Sequence, residues 1–329
     1  MILTPEVLAI LILNTIFAFF SIIALVLSIN IYLNWDLNST STSQYKLEKQ
    51  SFLTATIIKY IFAIKVPLFL FFIYTLDKIS NVLTGAMCGA GVVDATEYGT
   101  VLFILKIINL YLFAYWLVLH NEDMKHEDQP YTKLKFGIFV LAFLFFISEL
   151  ILEGVMFSSL DVDKIVSCCG SLYSSSSTSY ISDIFSIDTT FLLGMFYGNF
   201  LLIAVLYFLQ FFGVTLPYLN NRYLFAIANL LFIIVSIISI IVFFGTYIYE
   251  LPTHHCPFCF LQKDYNYIGY FIYIFLFTGT FYGLISGFID VSHKTRSKYY
   301  RLSLLFNLLF IVLLTAYPVM YYIKNGVFL

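Results

Sequence analysis

The chain has 329 residues, of which 61% are hydrophobic, 20% aromatic and only 11% charged. Soluble domains carry about 25% charged residues, so this chain has too little charge to cover a water-facing surface and suits one solvated largely by lipid. The formal net charge is −2 with no basic stretch, which excludes the phosphate-tracking surface of a nucleic-acid binder.

A membrane span needs about 20 consecutive apolar residues. Eight runs qualify, near Val7–Leu33, Phe52–Thr75, Thr100–Leu119, Phe136–Met156, Thr190–Leu216, Leu224–Tyr247, Gly269–Phe288 and Leu302–Ile323. They predict an all-α, polytopic transmembrane bundle of eight spans in a single integral membrane domain, residues 1–329. The first run follows Glu6 and far exceeds the about 7–15 apolar residues of a cleavable signal peptide, so it is expected to be a retained helix. The second run is the least regular, carrying Lys59, Lys65 and Pro67.

Seven connectors separate the runs, and Lys and Arg sort them. The connectors after the first, third, fifth and seventh runs, with the adjoining helix ends, hold Lys46, Lys49, Lys59, Lys125, Lys133, Lys135, Arg222, Lys294, Arg296, Lys298 and Arg301. The opposite face holds only Lys78, Lys164, Lys263 and Lys324. Positive charge marks the cytoplasmic side, so both termini are expected outside the cytoplasm. A bacterial inner (cytoplasmic) membrane is the expected location, with the second set of loops facing the periplasm or exterior.

All five cysteines fall in those outer loops: Cys88 after the second run, Cys168 and Cys169 after the fourth, Cys256 and Cys259 after the sixth. Cysteines placed as small apolar fillers would lie mostly in helices. The densest signal is His254-His255-Cys256-Pro257-Phe258-Cys259. Imidazole and thiolate together suit copper or zinc, and thiolate favours Cu(I). A metal set of His254, His255, Cys256 and Cys259, completed by Cys168, Cys169 and Cys88, is therefore one expectation. It implies a metal-handling protein that delivers, senses or transports a thiophilic metal, copper first, with an extracytoplasmic metalloprotein as partner. No G-x-x-x-x-G-K-[ST] loop is present, so the chain lacks the phosphate cradle of an ATP-driven pump.

A second expectation is thiol–disulfide exchange. Pro257 suits the first position of a helix; Cys256 would then cap it, its thiolate stabilised by the helix dipole, with Cys259 resolving the mixed disulfide. The tetrad Cys256-Pro257-Phe258-Cys259 resembles the active-site tetrad of glutaredoxins, over those four residues alone. The pairing of outer-face cysteines with a helical bundle is also similar in logic to quinone-linked thiol oxidases. These resemblances imply a quinone or a thioredoxin-like protein as electron partner. A third expectation is a structural or assembly subunit whose loops are stapled by disulfides.

Besides Lys59 toward the cytoplasmic end of the second run, four charges fall inside the runs: Lys65, Lys106, Glu149 and Glu153. Such charges are costly and are expected paired or at work. Lys106 and Glu149 lie at similar depth, roughly 10 Å in at about 1.5 Å per residue, and are expected to pair. Glu153, one turn away, is expected to reach the outer interface. The alternatives are a proton or ion path and a structural ion pair. His120, His126 and His293 and the acidic group Glu122, Asp123, Glu127 and Asp128 read as solvated loop residues. Ser174–Ser177 reads as a flexible loop, and Met87–Gly91 as a tight turn or a close backbone approach to a ligand. Gly279, Gly283 and Gly287, with Gly194 and Gly198, form stripes suited to close helix packing.

Overall fold

The computed structural model describes residues 3–36, 39, 41–161, 165–166, 187–212 and 222–329. Among them nine helices form and no strand. They are α1 (Pro5–Asn34), α2 (Thr42–Ser80), α3 (Gly89–Asp94), α4 (Gly99–Asp123), α5 (Thr132–Ser159), α6 (Thr189–Phe211), α7 (Arg222–Tyr249), α8 (Ile268–Phe288) and α9 (His293–Asn325). All but α3 are long and apolar enough to cross a bilayer, so the chain is an eight-span helical membrane protein. Ser174–Ser177 lies outside the described residues.

The expected runs are extended where polar residues carry a helix past the hydrocarbon. α2 starts ten residues before its apolar run, on Ser41, whose hydroxyl accepts Gln44 N–H at 3.3 Å. α9 likewise starts at Ser292, which accepts Thr295 N–H. Asp188 accepts Thr190 and Phe191 N–H at the head of α6. Those bonds, Phe191 N–H first, hold its carboxyl below the usual aspartate range.

The helices gather into two compact units, Met1–Thr84 with Val92–Val166, and Gly85–Gly91 with Ser167–Leu329. In the first unit α1, α2, α4 and α5 close a ring of pairwise packed helices. α1 shows why. It buries Val7, Ile10, Asn14, Phe17, Ser21, Ala24, Ser28 and Ile31, an unbroken three–four spacing that keeps one seam inward along the helix. Around that seam Phe62 stacks on Phe113 at 4.3 Å and meets Trp116 edge-on at 5.5 Å.

One end of this unit corrects the solvated-loop expectation. Asp123 is fully buried; its carboxylate accepts Tyr131 N–H at 2.7 Å and pairs with Lys135 at 2.5 Å. Glu122 and His120 are buried as well. Asp123 closes the turn between α4 and α5, and a carboxylate bonded to backbone N–H and an ammonium tolerates burial. Glu127, Asp128 and His126 are exposed as expected.

In the second unit α8 packs between α7 and α9. A Cβ placed on Gly283 would lie 2.1 Å from Asn229 Cγ, and one on Gly279 would lie 2.2 Å from Asn307 Oδ1. The stripe on α8 thus lets two amide-bearing helices close in, with Asn229 Oδ1 accepting from Asn307 Nδ2 at 2.9 Å and Ser303 Oγ at 3.0 Å. Among the described residues a Cβ on Gly194 or Gly198 of α6 meets nothing within 4 Å, so close packing between them explains the α8 stripe and not the α6 pair. α7 contains a π turn at Ile240–Phe244.

Candidate metal centre

Cys88 precedes α3, in the segment that belongs to the second unit. Its carbonyl accepts Gly91 N–H at 3.0 Å, a turn entered through Gly85 at φ 91°, a backbone conformation that glycine adopts without penalty. Cys256 and Cys259 lie between α7 and α8. α7 ends on Glu250 in the left-handed conformation (φ 52°), which turns the chain back over its own helix end.

Two aromatic hydroxyls and one side-chain amide then hold the loop. Tyr249 O–H donates to the Cys256 carbonyl, and its oxygen accepts Phe260 N–H at 3.1 Å. Tyr273 O–H donates to the Pro257 carbonyl at 2.7 Å. Gln262 Nε2 donates to the Met87 carbonyl at 2.9 Å and so ties this loop to the Cys88 segment. Gly269 completes the fit, since a Cβ there would lie 2.5 Å from the Phe260 ring.

The outcome is a group of three thiols. The sulfurs of Cys88, Cys256 and Cys259 all lie within 4.8 Å of one another, and each residue is at most 5% exposed. Cys88 and Cys256 approach to 3.5 Å between sulfurs. Cys256 Sγ accepts Phe258 N–H at 3.4 Å, a bond that favours the thiolate. Among the described residues this is the one cluster of three or more Cys, His, Asp or Glu side chains able to share a metal ion.

Several sequence expectations change here. The tetrad forms no helix at Pro257. Only a three-residue 3₁₀ turn follows, Cys259–Leu261, so Cys256 caps no helix and gains no dipole. Its third neighbour is Cys88, 168 positions away in sequence. Among the described residues no disulfide joins Cys88, Cys256 and Cys259 to one another. Cys168 and Cys169 lie outside the described residues.

The tandem histidines stay outside the sulfur cluster. His255 Nδ1 lies 2.9 Å from the Ile241 carbonyl. A carbonyl only accepts, so Nδ1 carries the proton and the ring satisfies a carbonyl of the π turn. His254 packs edge-on to Tyr249 at 4.3 Å between centroids, and its Nε2 is buried without a hydrogen-bond partner among the described residues. Burial holds its imidazole below the usual histidine range; Cys88 opposes the shift and His255 adds to it. It is therefore neutral at neutral pH, the form that binds metals.

The intramembrane charges assemble in the first unit. Glu149 Oε1 pairs with Lys106 at 2.8 Å, as expected, and with Lys65 at 2.9 Å. Glu153 does not reach an interface. It is fully buried and its Oε2 lies 3.2 Å from Lys106 Nζ and 2.7 Å from Asn14 Nδ2. Asn14, which also accepts from Lys65 at 3.0 Å, and Asn109, which donates to Glu149 Oε2, complete the network. Neither was expected, although an Asn on the inward seam of an apolar helix is a signal of such a partner.

Fold and site together define a multi-pass helical membrane protein with a buried three-thiol cluster able to hold a metal ion. Comparison with protein-family models, curated proteins and solved structures found no match to this chain.

Proposed function

We propose that this protein binds a thiophilic metal ion, Cu(I) first, through Cys88, Cys256 and Cys259, and handles it for delivery, sensing or transport at the outer face of the membrane. The observation that carries this reading is the convergence of three buried thiols within 4.8 Å. Ionising three neighbouring buried thiols is costly unless a cation shares the site. A soft all-sulfur set selects Cu(I) over harder ions. His254, neutral and with its Nε2 unpartnered among the described residues, is the nearby donor that a fourth coordination position would draw on. The excess of Lys and Arg on the opposite connectors supports the outward orientation of these loops, in a bacterial cytoplasmic membrane.

Titrating the reduced, detergent-purified chain with Cu(I) against a coloured Cu(I) chelator tests this. A single equivalent is expected to bind. Cys88→Ser, Cys256→Ser and Cys259→Ser each weaken binding by more than about tenfold, or about 1.4 kcal/mol. Absence of Cu(I) binding by the reduced chain overturns the reading.

The approach of Cys88 to Cys256 favours a second reading, a thiol–disulfide oxidoreductase. Bonding these two sulfurs needs a closure of about 1.5 Å to reach about 2.05 Å. Two thiols would become one disulfide, passing two electrons and two protons to a quinone. That reading uses Cys88 with Cys256, and it prevails if the purified chain reduces a quinone analogue in step with thiol loss and binds no Cu(I).

A further inference from the structure

The interior of the first unit holds a second polar centre, which shares no residue with the three thiols and does not depend on the metal reading. Two ammonium groups and two carboxylates meet there, and their formal charges cancel when all four are ionised. The two carboxylates differ. Glu149 has both oxygens engaged, Oε1 by Lys65 and Lys106 and Oε2 by Asn109. Glu153 has only Oε2 engaged, by Asn14 and Lys106. Its Oε1 is sealed from solvent with no hydrogen-bond partner among the described residues.

An ionised carboxylate with one bare oxygen in apolar surroundings is expensive, and a proton on that oxygen lowers the expense to that of a neutral unpaired hydroxyl. A carboxylate whose oxygens all face donors keeps its charge. Neighbouring carboxyls held so differently divide their roles.

We propose that Glu153 is a proton-exchanging carboxyl inside the membrane, taking up and releasing a proton on Oε1, while Glu149 stays ionised and holds the two lysines. Uptake converts the Glu153 carboxylate and one proton from water into a carboxylic acid, and the four-group cluster passes from neutral to +1. The charged groups facing Glu153 are Glu149 one turn away on α5, Lys106 on α4 and Lys65 on α2, while α1 contributes the neutral Asn14. A metal cation fits poorly beside two ammonium groups. A cavity beside Glu149, lined by Lys65, Lys106 and Asn109 among mostly apolar side chains, is about 10 Å³, the lower limit for one water molecule. A site that changes charge within a span is one on which a membrane potential does work, so the first unit fits a module that couples to a proton gradient.

Infrared difference spectroscopy of the full chain in lipid nanodiscs, acidic against alkaline, reads the carboxyl directly. The expected result is a C=O band of a water-excluded carboxylic acid that grows as pH falls, disappears in Glu153→Gln and shifts in Glu153→Asp. Gln retains an acceptor for Asn14 and Lys106, and circular dichroism at each pH checks the helices. Three outcomes overturn the proposal: no such band in the wild-type chain while its helices persist, an unchanged band in Glu153→Gln, or loss of the band on adding sodium at fixed pH.

Discussion

At the scale of single residues, the three-thiol group depends on a tyrosine. Tyr249 joins two points of the cysteine loop through one oxygen, donating to the Cys256 carbonyl and accepting Phe260 N–H. Its ring packs against His254 and Tyr265 at 4.3 and 4.8 Å between centroids. Tyr249→Phe keeps the ring and strands a buried carbonyl and a buried N–H, a cost of about 1–3 kcal/mol. Groups that hold ligand-bearing loops typically change metal affinity by about 10–100-fold. Cu(I) affinity measured by chelator competition is therefore expected to fall at least tenfold, with the helical spectrum unchanged. Wild-type affinity in Tyr249→Phe would show that the hydroxyl does not position the thiols. Sequence offers no pointer to this residue, because it is one of 26 tyrosines. The same limit runs the other way for His254 and His255, which stand out in sequence beside the tetrad. One ring serves a backbone carbonyl of α7 and the other packs on Tyr249, choices made by burial and not by spacing.

At the scale of elements, hydrophobic runs located the helices because the bilayer demands one length and one polarity from each. Their ends were legible only where apolar residues stop. The polar first turns of α2 and α9 are helical through capping by Ser41 and Ser292, and hydropathy does not register caps. The glycines show where pattern and packing part. Gly283 faces Asn229 and Gly198 faces nothing within 4 Å among the described residues, although both belong to four-residue repeats. Gly283→Ala forces its Cβ against a buried amide shared by α7, α8 and α9, and is expected to destabilise by about 1–3 kcal/mol. Gly198→Ala adds a methyl in open space and improves helix propensity by about 0.5–1 kcal/mol. Thermal unfolding of both variants in one detergent checks the contrast. Equal effects would mean that α8 does not pack as closely as its glycines allow. Pairings between distant elements were the least legible part. Lys106 with Glu149 follows from equal depth in adjacent spans, whereas Lys65, Asn14 and Asn109 join through a closed four-helix ring that linear position does not reveal.

At the scale of the whole molecule, the proposed orientation rests on charge and on span count together, and the count makes it testable. Between Lys125, after α4, and Lys324, at the end of α9, lie α5, α6, α7, α8 and α9. If all five cross the bilayer, the two lysines face opposite sides. The positive-inside rule puts Lys125 in the cytoplasm and Lys324 outside. Both side chains are accessible, at 52% and 62% exposed. Each makes only a partly solvated pair, Lys125 with Glu122 at 2.7 Å and Lys324 with Glu250 at 2.7 Å. The exposed Lys324–Glu250 pair contributes about 0–1 kcal/mol, whereas Lys125 pairs with a buried Glu122, so circular dichroism of Lys125→Cys accompanies the labelling. In a background lacking the five native cysteines, a membrane-impermeant maleimide added to spheroplasts is expected to label Lys324→Cys at once and Lys125→Cys only after permeabilisation. The reverse pattern would turn the molecule over, place the thiol loops in the reducing cytoplasm and remove the outer-face metal reading while keeping eight spans. Labelling of both from one side would mean that an odd number of those five helices fails to cross. α6 would be the first to re-examine, because Arg222, at the head of α7, is the only lysine or arginine beside its following connector, residues 213–221.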